Sequence, residues 1–425
     1  MKRLLFLALA ALASCHHQSE SPESIVAIQI QDRNGLTETI SSPERLVTYQ
    51  ETNFLTAQPY KKVLRVYKNR GKNYSKITTY HPNGSIWQYL EAEEMRAHGA
   101  YREWFANGGL KIEANVIGGT ADVTPGVQQD WLFDGISQVW DEQGNLIAKI
   151  PYQKGALEGP SLYFYSSGQT EKYLVFSKNN LEGESLEYFP DGGLKAKTTY
   201  KTGVKEGLSL GFFSNGNPCW IEEYKRGLLS KGTYYSLSGT VLSEIENGGG
   251  YQALFENDTP SLTVEFRHGK PDGRVQKYTS IGKLKGYYHI KSGKKEGEEV
   301  DFYLDTEISQ NETKPNPKLL ISWHENMIHG KVKTWYSNGQ LQSEREYCRN
   351  QKTGPSLSWY RDGSLMLVEE YDEDRLVKGQ YYKIHQRDPV SSVINGNGLA
   401  FLYDEMGVLV RKVTYLKGKA VDPES

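Results

Sequence analysis

Several residue types are scarce in this sequence, and each shortage excludes a class of protein. Only 5 methionines stand beside 29 tyrosines, 8 tryptophans, 13 phenylalanines and 42 glycines, which is typical of strands and turns and not of helical bundles. Basic residues are not in excess, because 50 lysines and arginines face 52 acidic residues, and this balance argues against a nucleic-acid binder. The composition therefore predicts an all-β protein.

Beyond the N-terminus, no apolar run approaches the roughly 18 residues that a transmembrane helix needs. The chain begins with Met1-Lys2-Arg3 and continues with an apolar run from Leu4 to Ala13. A basic start followed by a short apolar region is typical of a secretory signal. Residues 1–14 are therefore predicted to be a signal peptide, and the protein to be exported.

The four residues that end at Cys15, Leu-Ala-Ser-Cys, resemble the bacterial lipobox. Cleavage before the cysteine would make Cys15 the attachment point for diacylglycerol and an acyl chain such as palmitate. Several acyl chains hold a protein on a membrane without a transmembrane helix. The polar residues 15–24 then suit a flexible tether. The alternative is an ordinary signal peptide whose cleavage site holds a cysteine.

A repeat dominates the rest of the chain. Pairs of glycines nine residues apart recur from Gly99 to Gly407, with a period of about 24 residues where nothing is inserted, and Gly330 to Tyr347 is the best-preserved copy. We number positions within a copy from the opening glycine, position 0. Position 5 is aromatic in every copy of this set: Trp104, Trp140, Phe164, Tyr188, Phe212, Tyr278, Trp335, Trp359 and Tyr403.

Each copy is predicted to be a β-hairpin. In the best-preserved copy the turn Ser-Asn-Gly ends at Gly339, which suits a three-residue loop with glycine in the left-handed position. That loop places Trp335 across from Leu341 as a core pair, and the parity of positions 11 and 17 puts Leu341 and Tyr347 on one face. Since a lone hairpin is marginal in water, the copies must stack into an elongated, single-layer antiparallel meander.

This organisation predicts domain boundaries. Residues 25–79 form a β-rich cap, residues 80–416 the hairpin array, and residues 417–425 a C-terminal tail. Three stretches of extra length lie near 120–131, 248–263 and 305–318, and the second and third, which contain Asn-Asp-Thr-Pro and Lys-Pro-Asn-Pro, are predicted surface loops. Inserted loops either carry recognition or are tolerated insertions. Cys219 and Cys348 lie in separate copies, too far apart for a disulfide in an extended array, and both are predicted to be packed thiols.

The pattern of glycine, paired aromatics, glycine, leucine and tyrosine resembles the variant MORN repeats of bacterial proteins, a family that includes YwqK-type antitoxin-like proteins. The resemblance covers roughly residues 80–416. It implies a β-hairpin array used for binding or scaffolding, and eukaryotic relatives associate with membranes. The chain departs from the eukaryotic consensus at the glycine-rich end of the unit.

A second aromatic row supplies the candidate binding surface. Neighbouring residues of a strand point to opposite faces, so an aromatic at position 6 should face away from position 5. The predicted exposed row consists of Phe105, Tyr165, Phe189, Phe213, Tyr336 and Tyr360. The alternative is that both rows are partly covered by twist and by long lysine or glutamate side chains.

Two motifs resemble catalytic sites and are interpreted otherwise. Gly207-Leu-Ser209-Leu-Gly211 matches a hydrolase nucleophile elbow, but serine recurs at this repeat position within a strand and lacks the following helix. His324 and His329 are five residues apart, whereas the zinc-protease motif requires two histidines four apart on a helix. No metal and no cofactor are predicted.

The sequence therefore predicts a non-enzymatic, lipid-anchored protein of the cell envelope that binds or scaffolds partners. It would sit on the outer membrane or on the periplasmic face of the inner membrane, held by its N-terminal lipid, with an unidentified protein partner and no nucleic acid. An antitoxin-like or immunity protein that neutralises one toxin is the first alternative. A hydrolase that uses Ser209 is the second.

Overall fold

The protein is described by a computed structural model that covers residues 24–58, 61–68, 74–124, 126–304 and 316–421. Strands account for 64% of the protein and helices for 3%, so the prediction of an all-β fold is confirmed. The chain forms two compact units, one up to Leu181 and the other from Glu182 onward. Each unit is an antiparallel meander in which most strands pair with their neighbours in sequence, as the repeat predicts.

In unit 1, β1 pairs with both β2 and β3, and the meander runs on from β3. The strands are β1 Ile25–Asp32, β2 Thr37–Ile40, β3 Lys61–Lys68, β4 Tyr74–Tyr80, β5 Ile86–Glu93, β6 Arg96–Trp104, β7 Leu110–Val116, β8 Gly135–Trp140, β9 Leu146–Gln153, β10 Ala156–Leu157, β11 Gly159–Phe164, β12 Thr170–Ser177 and β13 Asn180–Leu181. A short helix, α1 (Pro43–Leu46), and two 3-10 turns, Val47–Tyr49 and Val127–Asp130, interrupt them.

Unit 2 is built from strands alone among its described residues. They are β14 Gly183–Tyr188, β15 Leu194–Lys201, β16 Val204–Phe212, β17 Pro218–Lys225, β18 Leu228–Tyr235, β19 Val241–Glu246, β20 Gly249–Glu256, β21 Thr259–Arg267, β22 Lys270–Tyr278, β23 Leu284–Lys291, β24 Lys294–Lys295, β25 Gly297–Phe302, β26 Pro317–His324, β27 Met327–Trp335, β28 Leu341–Cys348, β29 Gln351–Trp359, β30 Leu365–Asp372, β31 Arg375–Tyr381, β32 Ser391–Ile394, β33 Asn397–Tyr403, β34 Leu409–Leu416 and β35 Lys419–Val421.

The predicted cross-strand pair is confirmed. Trp335 lies opposite Leu341, and the turn between them closes with backbone hydrogen bonds of 2.9 Å from Tyr336 to Gln340 and from Gly339 to Tyr336. Gly339 has φ 83°, the left-handed conformation that glycine adopts without strain. The same pairing recurs in Trp104–Leu110, Trp140–Leu146, Phe164–Thr170, Tyr188–Leu194, Phe212–Pro218 and Trp359–Leu365.

The predicted facing of positions 11 and 17 is wrong. Ser343 pairs with Thr334 directly beyond the Trp335–Leu341 pair, so one residue of the second strand is left over in a β-bulge. A bulge reverses the alternation of side chains, and Leu341 therefore faces away from Tyr347. Trp335 and Leu341 are only half-buried, whereas Ser343 on the opposite face is buried, so their prediction as a core pair is wrong although their cross-strand pairing is right. The core lies on the face of positions 2 and 17.

Connecting turns between copies are two-residue turns with both residues left-handed. Thr202 and Gly203, at φ 50° and 80°, join β15 to β16. Left-handed φ at both central residues defines the type I′ turn that matches the twist of antiparallel strands. A carboxylate one residue before the opening glycine accepts the next turn's backbone N–H: Glu182 accepts from Thr202 at 2.7 Å, and Glu158 from Lys178 at 2.8 Å.

Buried apolar residues form separate clusters along the sheet. In unit 1 a cluster centred on Leu90 and Tyr101 is continuous with buried residues of the segment after β7. In unit 2 two separate clusters form around Tyr234 and around Tyr381. Three connecting turns meet beside the cluster around Tyr234. The backbone N–H of Leu229 donates to the carbonyl of Gly269, the N–H of Gly269 donates to the carbonyl of Gly248, and the N–H of Gly248 donates to the carbonyl of Ser230.

The three insertions differ from one another. The described residues of the first (Thr120 to Trp131) are irregular apart from the 3-10 turn Val127–Asp130. The second, near 248–263, is wrongly predicted as a loop, because it forms the hairpin β20–β21 around a turn with φ 47° and 60° at Asn257 and Asp258. Pro260 is accommodated because it lies at a β-bulge. Of the third, residues 305–315 lie outside the described residues, and Pro317 and Lys318 belong to β26.

The two described cysteines are both unpaired, as predicted, but only one is packed. Cys219 is buried, and burial raises the pKa of its thiol to about 12. Cys348 is exposed at the end of β28, so its prediction as a packed thiol is wrong. Strand alternation near the turn places its side chain outward. Among the described residues no helix is long and apolar enough to cross a membrane.

Candidate functional site

The predicted row of exposed aromatics is not exposed. Phe213, Tyr336 and Tyr360 are buried, with exposed fractions of 1%, 3% and 0%, and Phe105, Tyr165 and Phe189 are half-buried. The strand alternation behind the prediction does not hold at position 6, because this residue begins the hairpin turn instead of continuing the strand. The row therefore loses its place as an exposed binding surface.

Instead, position 6 ties successive hairpin turns together. The hydroxyl of Tyr336 donates to the carbonyl of Trp359 at 3.0 Å, and that of Tyr360 donates to the carbonyl of Tyr382 at 2.7 Å. Burial raises the pKa of Tyr360 to about 12, so this hydroxyl remains a donor over the ordinary pH range. The tyrosine at position 6, which the sequence predicts to be part of a binding surface, therefore stabilises the sheet along its row of hairpin turns.

Asparagine at position 8 makes a second link along the same edge. Its side-chain oxygen accepts the backbone N–H two residues on, as Asn338 does from Gln340 at 3.1 Å, and its amide donates to the next copy, here to the carbonyl of Arg361 at 3.0 Å. Asn83 repeats this arrangement with the carbonyl of Ala106 at 2.9 Å. The recurring Asn-Gly of the sequence thus shapes one turn and joins it to its neighbour.

The residues that resemble catalytic motifs are held within strands. Ser209 is 1% exposed in β16, and its hydroxyl lies 3.0 Å from that of Thr198. His324 ends β26 and His329 lies in β27, with ring centroids 5.9 Å apart. Within the ranges that the structure covers, no three His, Cys, Asp or Glu residues are grouped to hold a metal ion. Cys15, the predicted lipid attachment point, lies outside the described residues.

The first insertion packs onto the sheet of unit 1 as a lid. Trp131 is 4% exposed, and its ring meets that of Tyr101 edge-on at a centroid distance of 4.9 Å. Its indole N–H donates to the carbonyl of Thr120 at 2.9 Å, which closes the loop on itself. Val123 is buried in the same cluster. Val123 and Trp131 of the insertion therefore belong to the core of unit 1.

An ion pair fixes the outer part of the lid. The Arg65 guanidinium, on β3, donates to the carboxylate of Asp122 at 3.1 Å and to the carbonyl of Ala121 at 3.0 Å. The same carboxylate accepts the backbone N–H of Val123 at 2.8 Å. Because Asp122 is held on two sides, the lid edge has a defined position over the sheet.

A groove remains between this lid edge, the strands β1, β3 and β4, and the turn between β4 and β5. We call it the insertion groove. Its volume is about 480 Å³, within the range of roughly 300–1,000 Å³ that small-molecule sites occupy. Its lining residues are Gln31, Arg33, Lys62, Val63, Thr79, Tyr80, Pro82, Trp87, Asp122, Val123 and Thr124.

Register explains the floor of the insertion groove. Gln31 pairs with Val63, Val63 with Thr79, and Thr79 with Gln88, so these four side chains form one row across β1, β3, β4 and β5 on the same face. The hydroxyl of Thr79 donates to the side-chain carbonyl of Gln88 at 3.2 Å. A neighbouring cavity of about 240 Å³ shares Gln31, Val63, Asp122 and Thr124 and adds Gln29, Thr37 and Arg65.

Sequence reasoning missed this groove. It had marked the first insertion as a possible recognition loop, and the structure places that loop at the groove. It had no signal for Lys62 or Trp87, since both lie in strands or turns that pattern alone assigns to the cap or to the first repeat. The pairings of β3 with β4 and of β4 with β5 bring them to one groove, and the pairing of β1 with β3, which no local pattern encodes, adds Gln31.

Buried tyrosine–carboxylate networks recur in the cores. Glu222 accepts hydrogen bonds from the hydroxyls of Tyr224 at 3.0 Å and Tyr234 at 2.8 Å, and from the amide of Gln252 at 2.8 Å. Glu369 likewise accepts from Tyr371 at 3.2 Å and Tyr381 at 2.8 Å. Burial, and then the neighbouring carboxylate, raises the pKa of all four tyrosines above the usual value. These phenols thus stay protonated donors.

The comparisons agree with the repeat and add little about the ligand. The chain carries the MORN repeat variant, since the model of this family matches residues 133–154, 181–202 and 328–349. No curated protein matches the chain. Repeats of this kind indicate a binding or scaffolding role.

Some solved structures are similar over parts of their length. In the crystal structure of TcdB2-TccC3-Cdc42, one chain aligns with 88% of this chain and 23% of its own length, at 10% identity and a TM-score of 0.13. In the TcdB2-TccC3 structure, one chain aligns with 91% of this chain and 26% of its own length, at 11% identity and a TM-score of 0.13. A porin-like protein from Bacteroides uniformis aligns with 70% of this chain and 95% of its own length, at 9% identity and a TM-score of 0.15. The chain thus spans about a quarter of the TcdB2-TccC3 chains, and such TM-scores say nothing about its function.

Proposed function

We propose that this protein is an exported, lipid-anchored component of the cell envelope, whose repeats form a non-enzymatic binding scaffold. The proposed location in the cell envelope is supported by the signal-like residues 1–14 and by Cys15 at the end of a lipobox-like sequence. The scaffold role rests on the MORN repeat variant. Its hairpins, linked along their turns by tyrosine and asparagine side chains, suit a rigid support.

The insertion groove is the observation that carries the binding role. A rigid sheet supplies its floor, and an ordered lid, fixed by the Arg65–Asp122 ion pair, supplies its wall. Ligand sites are concave, largely pre-formed and mostly apolar with a few placed polar groups, and the groove has these properties. Because Ser209 is buried and paired with Thr198, the hydrolase alternative gains no support.

The anchor is tested by Cys15→Ser in cells grown with labelled palmitate. Loss of the acyl chains should abolish labelling and move the protein from the membrane to the soluble fraction. Cys348→Ser, which changes the exposed cysteine at the end of β28, is the matched control and should label like the wild type. Unchanged labelling of Cys15→Ser would refute the anchor.

The binding role is tested by proximity labelling in intact cells with the wild type and with Trp87→Ala. We expect an envelope location and a set of neighbours that changes when Trp87 is removed from the groove. Recovery of one dedicated toxin by both forms would support the antitoxin alternative. A hydrolytic activity that Ser209→Ala abolishes would contradict the non-enzymatic proposal.

A further inference from the structure

We infer that the insertion groove of unit 1 binds an acidic carbohydrate, a chain of sugar rings that carries carboxylates. The inference rests on the proposed binding function and names its ligand class, but it does not depend on the lipid anchor. Three features of the described residues lead to it: an aromatic platform at the rim, a row of amides and hydroxyls on the floor, and the exposed ammonium of Lys62 at the opening.

The aromatic platform is Trp87. Its side chain is 37% exposed at the rim of the groove, although most large aromatics of unit 1 are covered. The ring of His81 stacks beside it, with centroids 5.4 Å apart and an interplanar angle of 27°. The ring nitrogen Nε2 of His81 lies 2.8 Å from the carbonyl oxygen of Trp104, and this hydrogen bond holds the histidine in place. An indole fixed in this way offers a flat apolar surface for the C–H face of a sugar ring.

The polar groups are neutral and spread along the groove. Gln31 lines the main cavity, and Gln29 and Thr37 continue the row into the neighbouring cavity of about 240 Å³. Thr79 and Thr124 also line the main cavity, where their hydroxyls donate to Gln88 at 3.2 Å and to Asp122 at 3.3 Å and can still accept a hydrogen bond. Amides and hydroxyls both donate and accept hydrogen bonds, as sugar hydroxyls do. Since the two cavities share four residues, the row is longer than one sugar ring requires. This length favours an oligosaccharide.

The charge around the groove selects an acidic sugar. Arg33, Lys62 and Arg65 line the two cavities, against the single carboxylate of Asp122. Asp122 is paired with Arg65 at 3.1 Å, and Lys62 adds a positive charge at the opening. Lys62 is exposed at the rim, where its ammonium can reach a ligand carboxylate in a charge-assisted hydrogen bond.

Other anionic ligands fit less well. Arg65 donates to Asp122 and Ala121, and Arg33 donates to the carbonyl of His81, so the two guanidinium groups already have protein acceptors and do not form an arginine clamp on a phosphate. An acyl chain would lie against the amides of Gln29 and Gln31 and would offer them no hydrogen bonds, which is unfavourable. A carbohydrate satisfies both the platform and the row.

The test is calorimetric titration of the purified full-length protein, in detergent, with tetragalacturonate and with its neutral counterpart galactotetraose. We expect saturable binding of the acidic sugar and at least tenfold weaker binding of the neutral one. Trp87→Ala should weaken tetragalacturonate binding at least tenfold. Lys62→Gln should weaken binding of the acidic sugar several-fold and leave binding of the neutral sugar unchanged.

Matched controls lie elsewhere in unit 1. Trp140→Ala removes a half-buried indole of the regular repeat, and Lys178→Gln removes an exposed lysine at a connecting turn. Both should bind tetragalacturonate like the wild type, and circular dichroism checks that each variant is folded.

Absence of saturable binding, equal binding of the two sugars, or full binding by folded Trp87→Ala would each overturn the inference. Binding to vesicles that contain phosphatidylglycerol, weakened by Lys62→Gln while the sugar does not bind, would assign the groove to a lipid surface instead. A failed titration together with intact palmitate labelling would refute the carbohydrate and leave the anchored scaffold standing. Loss of the anchor alone would not change the titration.

Discussion

The first and second insertions differ in form but serve the core in a similar way. Both add length to the repeat, and the second is predicted from the sequence to be a surface loop. The first, Thr120 to Trp131, remains irregular and covers the sheet of unit 1 as a lid. The second, near 248–263, becomes the hairpin β20–β21 and joins the core of unit 2 through Ala253, Val264 and Phe266.

Each insertion also delivers a glutamine to a buried tyrosine–carboxylate network. Gln128 of the first donates to the hydroxyl of Tyr101 at 2.9 Å, and Tyr101 in turn donates to Glu103 at 2.8 Å. Gln252 of the second donates directly to Glu222 at 2.8 Å. Extra length in this repeat thus supplies partners for buried polar groups, whether it is extended or irregular. What separates the two is the groove, which only the irregular lid borders.

The largest expected effect is the removal of the lid's anchor. Trp131→Ala should destabilise unit 1 by about 3–5 kcal/mol, because a fully buried aromatic side chain leaves a cavity. Hydrogen exchange measured by mass spectrometry should show lost protection in the lid and in β6. Trp140→Ala, at a half-buried position of the regular repeat, is the control and should cost less. Unchanged protection of the lid would mean that Trp131 does not hold it.

The second insertion should be most sensitive at a glycine. A Cβ on Gly250 would lie 2.1 Å from the carbonyl oxygen of Glu244, and the residue has φ 136°. Gly250→Ala should therefore destabilise the hairpin by at least about 1–3 kcal/mol, measured by denaturant unfolding. In Gly249→Ala the nearest atom would be 3.7 Å away, so this neighbour is the matched control. Equal effects of the two would contradict a hairpin closed tightly on β19.

The two glutamines should differ in strength. Gln252→Ala removes a hydrogen bond to a carboxylate and should cost about 1.5–3 kcal/mol, whereas Gln128→Ala removes one to a neutral hydroxyl and should cost about 0.5–1.5 kcal/mol. Thermal unfolding of both variants measures the difference. The reverse order would show that the lid, and not the hairpin, depends more on its polar contact.

The smallest effect is a pH dependence confined to the hairpin. The backbone N–H of Arg274 and the guanidinium of Arg267 hold the pKa of Glu265 below its usual value of 4.5. A carboxyl with a lowered folded-state pKa stabilises the fold above about pH 4.5, and this contribution is lost as the pH falls through the folded-state pKa. Glu265→Gln should therefore flatten the loss of stability in acid, with the exposed Glu256→Gln as control. An unchanged acid profile would contradict the shift.

Much of the fold could be predicted from repeat spacing. The glycine pairs and their aromatics gave the hairpins, the turn at Gly339 and the pairing of Trp335 with Leu341, because these depend on residues less than a dozen apart. The facing of Tyr347 could not be predicted by counting, since one bulged residue reverses the alternation. Tyr336 and Tyr360 were misplaced for a similar reason, as a turn begins where the strand was extrapolated.

The candidate site was only partly visible. The first insertion could be marked from its length, but its role as a groove wall depends on the contact of Asp122 with Arg65, 57 residues away in sequence. The second insertion was misjudged because Asn257, Asp258 and Pro260 are typical of loops. They fit a hairpin here because a type I′ turn accepts Asn and Asp, and a bulge accepts proline.

By itself, the sequence determined the repeating hairpin, since glycine spacing, turn residues and cross-strand aromatics act over one or two turns of chain. It also carries the predicted address, which depends on linear recognition of residues 1–15. Only the tertiary structure decided which face is buried and where the insertion groove lies. Those outcomes depend on bulges, on the pairing of β1 with β3 and on the packing of Trp131, and each joins residues that no local pattern relates.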